Sequence, residues 1–197
     1  MNLTTPGSHG LLSGLLDRVL FHETTILSRL DEMAQDITRD YEGRNLKVIA
    51  ILHGGIIFTA DLLRRIHLPL KIDSVSVASY HGGTESSGVV TFNQLNMPEI
   101  EGEHVLLMDD ILDSGRTLSA IREKLTKEGR PASIKICVLL DKKIARAVDI
   151  DADYSGFEIS DEFVVGYGLD YRGDYRNLPF IASLSRSAVA EIEGEGS

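Results

Sequence analysis

The stretch that most constrains the fold is VLLMDDILDSGRT, residues 105–117, in which an apolar run ends in two adjacent aspartates. A third aspartate follows, and then a short turn of small and polar residues. The apolar half is typical of a strand that is covered on both faces. Leu118, Ile121 and Leu125 then follow helical spacing, which predicts a helix ending at Gly129. A buried strand followed directly by a helix indicates a parallel α/β arrangement.

The rest of the chain repeats this alternation. A helix is predicted from Thr24 to Tyr41 and another after the HGG of residues 53–55. The predicted strands are Leu46–Leu52, Ile72–Ala78, HVLLMD (residues 104–109), SIKICVLL (residues 133–140) and FVVGYGL (residues 163–169). We therefore predict a single α/β domain with a parallel twisted sheet flanked by helices. Ligands of such sheets bind at the carboxyl ends of the strands, which is where the unusual polar clusters of this chain follow the predicted strands.

Composition excludes several classes of protein. The 197 residues carry a formal net charge of −10, which argues against binding to a nucleic-acid backbone. Cys137 is the only cysteine, so the chain has no internal disulfide. There is no apolar stretch of ~18 residues and no basic N-terminal region of a signal peptide. These features predict a cytoplasmic protein without a membrane partner.

The turn after the third predicted strand has the chemistry of a phosphate site. It leads into a helix N-terminus, where unpaired N–H groups and the helix dipole favour an anion. The alternative is a capping loop in which Asp113 or Ser114 is the N-cap. Asp109 and Asp110 require hydroxyl donors or a divalent cation if they are buried. Acids next to a phosphate cradle fit a ribose 5-phosphate.

Two other nucleotide-binding classes are disfavoured by the motifs that the chain lacks. A hydrolase with a strand-end acid on Mg²⁺ needs a G-x-x-x-x-G-K-[ST] loop, and a dinucleotide-binding fold needs G-x-G-x-x-G. Neither pattern occurs in the sequence.

VLLMDDILDSGRT resembles the phosphoribosyl pyrophosphate (PRPP) motif of the type I phosphoribosyltransferases. FEISDEFVVGYGLDYRGDYRNLPFI, residues 157–181, resembles the purine-binding segment of the hypoxanthine-guanine enzymes of that family. The similarity extends from about Arg18 to about Leu184. It implies transfer of the 5-phosphoribosyl group from PRPP to N9 of a 6-oxopurine (hypoxanthine and guanine), with release of pyrophosphate and formation of IMP or GMP in purine salvage.

The resemblance also implies a division of the chain. The type I phosphoribosyltransferase fold has a core, here at about residues 40–150, and a small hood over the active site. The hood is expected from about residues 1–39 and 150–185, with a tail over residues 186–197.

By the same resemblance, residues of the PRPP motif bind PRPP. Asp109 and Asp110 hold the ribose hydroxyls, partly through Mg²⁺. Asp113 is also the candidate general base near purine N7. The residues implied to bind the 5-phosphate are Asp113, Ser114, Gly115, Arg116 and Thr117.

Further residues are implied to bind the purine and the pyrophosphate. Lys142 matches the donor to the purine 6-oxo group, and Phe163 the residue that stacks on the ring. Val164 is implied to contact the edge of the base through its backbone. Asp170 is implied to bind a second Mg²⁺, and Arg176 the pyrophosphate oxygens.

Leu52, His53 and Gly54 match the pyrophosphate loop of the family, in which the peptide after the leucine is cis. The family often has a lysine where this chain has His53, so one cationic contact is in doubt. Esterases use a similar HGG loop, but the chain lacks the G-x-S-x-G motif that they also need. Ser79 and Tyr80 match the paired residues at the start of a lid that spans residues 79–93.

The sequence leaves several alternatives open. A regulator with this fold would bind PRPP or a nucleotide to control nucleic-acid binding, and it would need a basic face. A related enzyme would prefer xanthine, and the sequence does not rank hypoxanthine, guanine and xanthine. The family also implies a homo-oligomer, a dimer or a tetramer.

Overall fold

The computed structural model describes residues 14–79, 90–92 and 97–194. Its strands are β1 (Leu16–Phe21), β2 (Leu46–Leu52), β3 (Leu70–Ser79), β4 (Val90–Phe92), β5 (His104–Leu112), β6 (Ser133–Lys142), β7 (Tyr154–Ile159), β8 (Val164–Val165) and β9 (Ile181–Leu184). Its helices are α1 (Glu23–Asp40), α2 (Ile56–Leu63), α3 (Arg116–Gly129) and α4 (Arg186–Gly194).

The main sheet has six strands in the order β4-β3-β2-β5-β6-β7. Five neighbouring strands are parallel, namely β3, β2, β5, β6 and β7, and β4 pairs antiparallel with β3 at the edge. The central strands β2 and β5 are the continuous apolar runs of the sequence, because apolar side chains are buried on both faces there. The predicted parallel α/β sheet is confirmed.

Two of the predicted strand ends are wrong. The prediction ends the third strand at Asp109, but β5 continues through Asp110 to Leu112. Ile111 pairs with Leu140 of β6, so the acid pair lies inside the ladder. Strand β6 likewise includes Asp141 and Lys142. Charged residues are rare in buried strands, so the sequence pattern predicts a loop at these acids and at Lys142. Pairing with a neighbouring strand overrides this low β propensity.

The predicted fifth strand is also wrong. FVVGYGL contributes only β8, because Gly166 and Gly168 adopt φ of 97° and 107°, outside the strand region. The fifth parallel strand is β7, which pairs with β6 and is only half buried. A short edge strand of mixed polarity gives a weak sequence signal. The main sheet therefore extends past the boundary near residue 150 that the sequence predicts.

A second sheet, with the order β1-β9-β8, brings the start of the described chain next to residues 164–184. We call this three-stranded sheet with its β8–β9 connection the hood. Helix α1 lies outside it, although the prediction includes residues 23–39 in the hood. The buried residues Ile26 and Leu30 of α1 pack in the same core cluster as Leu106 of β5. The Tyr167 hydroxyl donates to Asp61 Oδ2 at 2.6 Å and connects the hood to α2.

Helix α3 ends at Gly129, as the sequence predicts. Gly129 is the last helical residue, and the left-handed residue that follows is Arg130, with φ of 49°. A Cβ atom on Gly129 would lie 2.3 Å from Ile100 Cγ1. Gly129 therefore allows close packing against Ile100, whereas Arg130 carries the backbone conformation that usually favours glycine.

In the ranges given above, none of the helices combines the length and the apolarity that a membrane crossing requires.

We expect Gly129→Ala and Arg130→Gly to have opposite effects on stability. The alanine overlaps Ile100 and should lower the free energy of unfolding by about 1–3 kcal/mol. The glycine relieves the left-handed conformation and should raise it by about 0.5 kcal/mol, since unfolded-chain entropy offsets part of the gain. Urea unfolding of both variants measures the two changes. A stabilising alanine would contradict the packing role of Gly129.

Candidate active site

The centre of the site is the acid pair Asp109–Asp110 on β5, the middle strand of the main sheet. The Asp110 N–H donates to Asp109 Oδ1 at 3.0 Å. Burial raises the pKa of Asp109 well above its usual range, and the charge of Asp110 raises it further. Burial also raises the pKa of Asp110, although the nearby Arg176 acts in the opposite direction. Two desolvated carboxylates in contact favour a cation or hydroxyl donors as ligands.

The HGG loop after β2 packs directly against this pair. A Cβ atom on Gly54 would lie 2.0 Å from Asp110 Oδ2, and one on Gly55 would lie 3.3 Å from Asp109 Cα. The Leu52–His53 peptide is cis, as the family resemblance implies. The Gly55 N–H donates to Ile51 O at 3.1 Å. Of the two glycine amides, within the described chain only that of Gly54 has no acceptor, so it is available to an anion.

The loop between β5 and α3 is an open helix N-terminus. Its N-cap is Gly115, with φ of 78°, and no side chain caps the helix. The alternative of Asp113 or Ser114 as N-cap is therefore wrong. Across the residues that the structure describes, the N–H groups of Ser114, Gly115 and Thr117 donate to no acceptor. These groups and the helix dipole favour a bound anion.

Lys142 connects this loop to the segment between β7 and β8. It ends β6 and is buried, with a side chain 7% exposed. Its Nζ lies 3.2 Å from Asp113 Oδ2 and 3.2 Å from Asp161 Oδ1. The ammonium also lies 5.5 Å from the centre of the Phe163 ring, in cation–π geometry. Phe163 itself is 45% exposed, unusual for a large apolar side chain, so its ring is available to a planar ligand.

The backbone next to Phe163 also has open polar groups. The Leu184 N–H donates to Phe163 O at 2.9 Å, and Val164 pairs with Ser183. This pattern places Val164 at a non-hydrogen-bonded position of the antiparallel ladder. Its N–H and C=O therefore point away from β9, toward the free edge of the hood sheet.

Asp170 and Arg176 form an ion pair within the connection between β8 and β9. Arg176 Nη2 lies 2.7 Å from Asp170 Oδ1, and Arg176 Nη1 donates to Gly168 O at 2.7 Å. The Gly173 N–H, at φ of 90°, donates to Asp170 Oδ2 at 2.8 Å. A Cβ atom on Gly168 would lie 2.2 Å from Gly54 O, so this part of the hood contacts the HGG loop.

The acid pair fits a divalent cation by its chemistry, because it offers two adjacent carboxylates of the kind that Mg²⁺ and Ca²⁺ bind. Over residues 14–79, 90–92 and 97–194, however, no group of three or more His, Cys, Asp or Glu side chains is suited to hold a metal. Both oxygens of Asp170 already accept hydrogen bonds or ion pairs. A cation here would take the rest of its ligands from a bound molecule.

Most residues implied by the resemblance therefore converge on one region. Ser79 lies at the end of β3, and Tyr80 lies outside the described residues. Sequence reasoning missed Asp161, the second partner of Lys142, and Gly168, which contacts the HGG loop. Asp161 follows β7, so recognition of that strand would have placed another acid at the carboxyl end of the sheet.

Comparison with known proteins gives consistent results. The sequence profile of the phosphoribosyl transferase domain matches residues 20–172. The chain is 44% identical to the hypoxanthine-guanine phosphoribosyltransferase of Streptococcus pneumoniae R6 over 180 residues, covering 91% of this chain and 99% of that protein. It is 48% identical to the enzyme of the same name from Staphylococcus epidermidis RP62A over 176 residues, covering 89% and 98%.

Solved structures give the same result. A hypoxanthine phosphoribosyltransferase from Staphylococcus aureus has a TM-score of 0.84 at 43% identity, covering 91% of this chain and 97% of that one. A Trypanosoma cruzi hypoxanthine phosphoribosyl transferase also has a TM-score of 0.84, at 38% identity, with 91% and 97% covered.

We expect Asp109→Asn to make the protein more stable at neutral pH. Because the pKa of Asp109 is higher in the folded protein than in the unfolded chain, its contribution to stability is fully present below the unfolded pKa of about 3.9. That contribution is lost as the pH rises through the folded pKa. The amide removes this loss, so the free energy of unfolding at pH 7 should rise by about 1–3 kcal/mol. The difference should vanish below about pH 4. Urea unfolding at both pH values measures it, and a less stable variant at pH 7 would contradict the burial argument.

Proposed function

Because the chain belongs to the phosphoribosyltransferase family, we propose that it transfers the 5-phosphoribosyl group of PRPP to N9 of a 6-oxopurine and releases pyrophosphate. The relatives named hypoxanthine-guanine phosphoribosyltransferase support hypoxanthine and guanine as the bases, and IMP and GMP as the products, in purine salvage. The observation that carries the proposal is the contact between Asp113 and Lys142, which joins the anion loop to the base-binding side of the site.

PRPP is bound by the loops at the carboxyl ends of β2 and β5. Asp109 and Asp110 accept hydrogen bonds from the ribose hydroxyls, and their carboxylates would also hold a divalent cation. The open N–H groups of Ser114, Gly115 and Thr117 receive the 5-phosphate. Mg²⁺ fits these residues because it prefers carboxylate and phosphate oxygens, and when bound it would offset the charge that develops on the leaving pyrophosphate. Asp170 is a second carboxylate on the pyrophosphate side.

The purine lies between Phe163 and the end of β6. The ring stacks on the exposed face of Phe163, and the Lys142 ammonium donates to the 6-oxo group. The outward-pointing backbone groups of Val164 contact the edge of the base. This arrangement fixes the plane and the orientation of the purine, so that N9 faces the ribose.

In the reaction, the bond between ribose C1 and the pyrophosphate oxygen breaks while the bond from N9 to C1 forms. Asp113 accepts the proton that leaves purine N7. Lys142 holds the Asp113 carboxylate at 3.2 Å and thereby orients it toward the base. The Gly54 N–H and the Arg176 guanidinium stabilise the departing pyrophosphate.

The two alternatives from the sequence have less support. A regulator of nucleic-acid binding would need a basic face, whereas the chain carries a net charge of −10 and its relatives are named as enzymes. No specific contact favours xanthine over the other 6-oxopurines. We further propose a homo-oligomer, and the exposed apolar side chains Ile56 and Ile72, 51% and 60% exposed, are consistent with a protein partner.

We expect nucleotide formation when the protein is incubated with PRPP, Mg²⁺ and either hypoxanthine or guanine. Chromatography of the products, with xanthine and adenine tested in parallel, measures the range of bases. Omission of Mg²⁺ in the presence of EDTA is the control, and it should abolish product formation. The proposal fails if none of the three 6-oxopurines gives a nucleotide.

We expect Asp113→Asn to lower turnover by about a hundredfold or more, because an amide cannot accept the purine proton. Affinity for PRPP should change by no more than a few-fold, because the open N–H groups that receive the 5-phosphate belong to the backbone. Steady-state kinetics and PRPP titration separate the two effects. Lost PRPP binding with preserved turnover at saturation would instead make Asp113 a structural residue of the loop.

A further inference from the structure

We propose that Arg146 is a positioning residue, which holds the 5-phosphate loop in its binding shape without contacting the reacting atoms. The inference rests on the proposed function, because it concerns the same loop, residues 113–117. It is carried by a set of contacts that leads from Arg146 through residues 147–150 to Ser114 and Gly115. We call residues 146–151 the support segment.

The Arg146 guanidinium organises the support segment. The side chain is 13% exposed, and its Nη1 donates to Ile150 O at 2.5 Å and to Asp151 Oδ1 at 2.7 Å. Its Nη2 pairs with Asp141 of β6, whose side chain is 7% exposed. The guanidinium therefore connects both ends of the support segment to the main sheet.

The support segment in turn packs against the 5-phosphate loop. The Ala147 N–H donates to Ser114 O at 3.2 Å. A Cβ atom on Gly115 would lie 2.4 Å from Ile150 Cγ2 and 3.0 Å from Val148 Cγ2. The loop backbone thus lies on the side chains of the support segment, which sets the direction of its open N–H groups.

The charges at Arg146 agree with a positioning role. Asp141 and Asp151 both pair with the guanidinium, so its positive charge is already compensated within the chain. The planar guanidinium of Arg146 contacts both carboxylates and the Ile150 carbonyl at the same time. A lysine ammonium is a single compact charge and cannot reproduce this geometry. Arg146 thus acts on the 5-phosphate through the shape of the loop.

The test compares Arg146→Lys with the control Lys143→Gln. Lys143 also pairs with Asp141, at 2.9 Å, but its side chain is 51% exposed. Among the described residues its other ion pair is with Glu158 of β7, outside the support segment. Calorimetry measures the dissociation constants of two probes, IMP and pyrophosphate with Mg²⁺. Only IMP carries a 5-phosphate, and pyrophosphate reports on the other side of the site.

We expect Arg146→Lys to weaken IMP binding by about tenfold or more, since small displacements of a binding group are costly. Pyrophosphate binding should change less than about twofold, and Lys143→Gln should leave both probes unchanged within that range. Unaltered IMP binding in Arg146→Lys overturns the inference, as does an equal loss for both probes. Failure of the wild-type protein to bind IMP would instead contradict the proposed function.

A second pair of variants tests the contact itself. Ile150→Val keeps the Cγ2 methyl group next to Gly115, whereas Ile150→Ala removes it. Ile150→Ala should reproduce the selective loss of IMP binding, and Ile150→Val should not. Thermal unfolding of each variant shows that it is folded at the temperature of the titration. Equal IMP affinity in the two variants would contradict support through Ile150.

Discussion

The burial of Asp109, next to the half-buried Asp110, at the centre of a parallel sheet is the constraint on which the rest of this structure depends. Asp109 and Asp110 lie on β5, between strands that are apolar on both faces, so the chain offers them little solvent. Charged groups in such a place require ligands, and Arg176, whose charge acts on Asp110, is already paired with Asp170. The fold therefore keeps two acids in a state that favours a cation or hydroxyl donors as ligands.

This constraint explains why glycines surround the acid pair. Side chains at Gly54 and Gly55 would overlap Asp110 and crowd Asp109, and a side chain at Gly168 would overlap Gly54 O. Three segments far apart in sequence can approach each other only because these positions lack Cβ atoms. The Gly54 N–H remains open there within the described chain, and a backbone donor needs no side-chain ordering when an anion binds.

The sequence predicted the parts of this structure that have an unambiguous pattern. β2 was predicted with its observed bounds because a continuous apolar run fits the interior of a parallel sheet, where both faces of the strand are covered. The sequence did not predict β7, because half-buried edge strands mix polar and apolar residues. It did not predict the left-handed conformation of Arg130 either, because tertiary packing placed that conformation at a residue other than glycine. The role of Asp161 depends on its contact with Lys142, which is more than 15 residues away in the sequence. The role of Arg146 depends on the shape of a tight loop. No local sequence pattern predicts either contact.

The strand register connects these parts into a site. Leu112 of β5 pairs with Asp141 of β6, so the next position along both strands brings Asp113 opposite Lys142. A slip of one residue would send Lys142 to the other face of the sheet and expose the apolar residues that precede it. The same apolar side chains that hold β5 and β6 in register therefore determine the 3.2 Å contact between the carboxylate and the ammonium. The chemistry of the site follows from the packing of the core, because one register satisfies both.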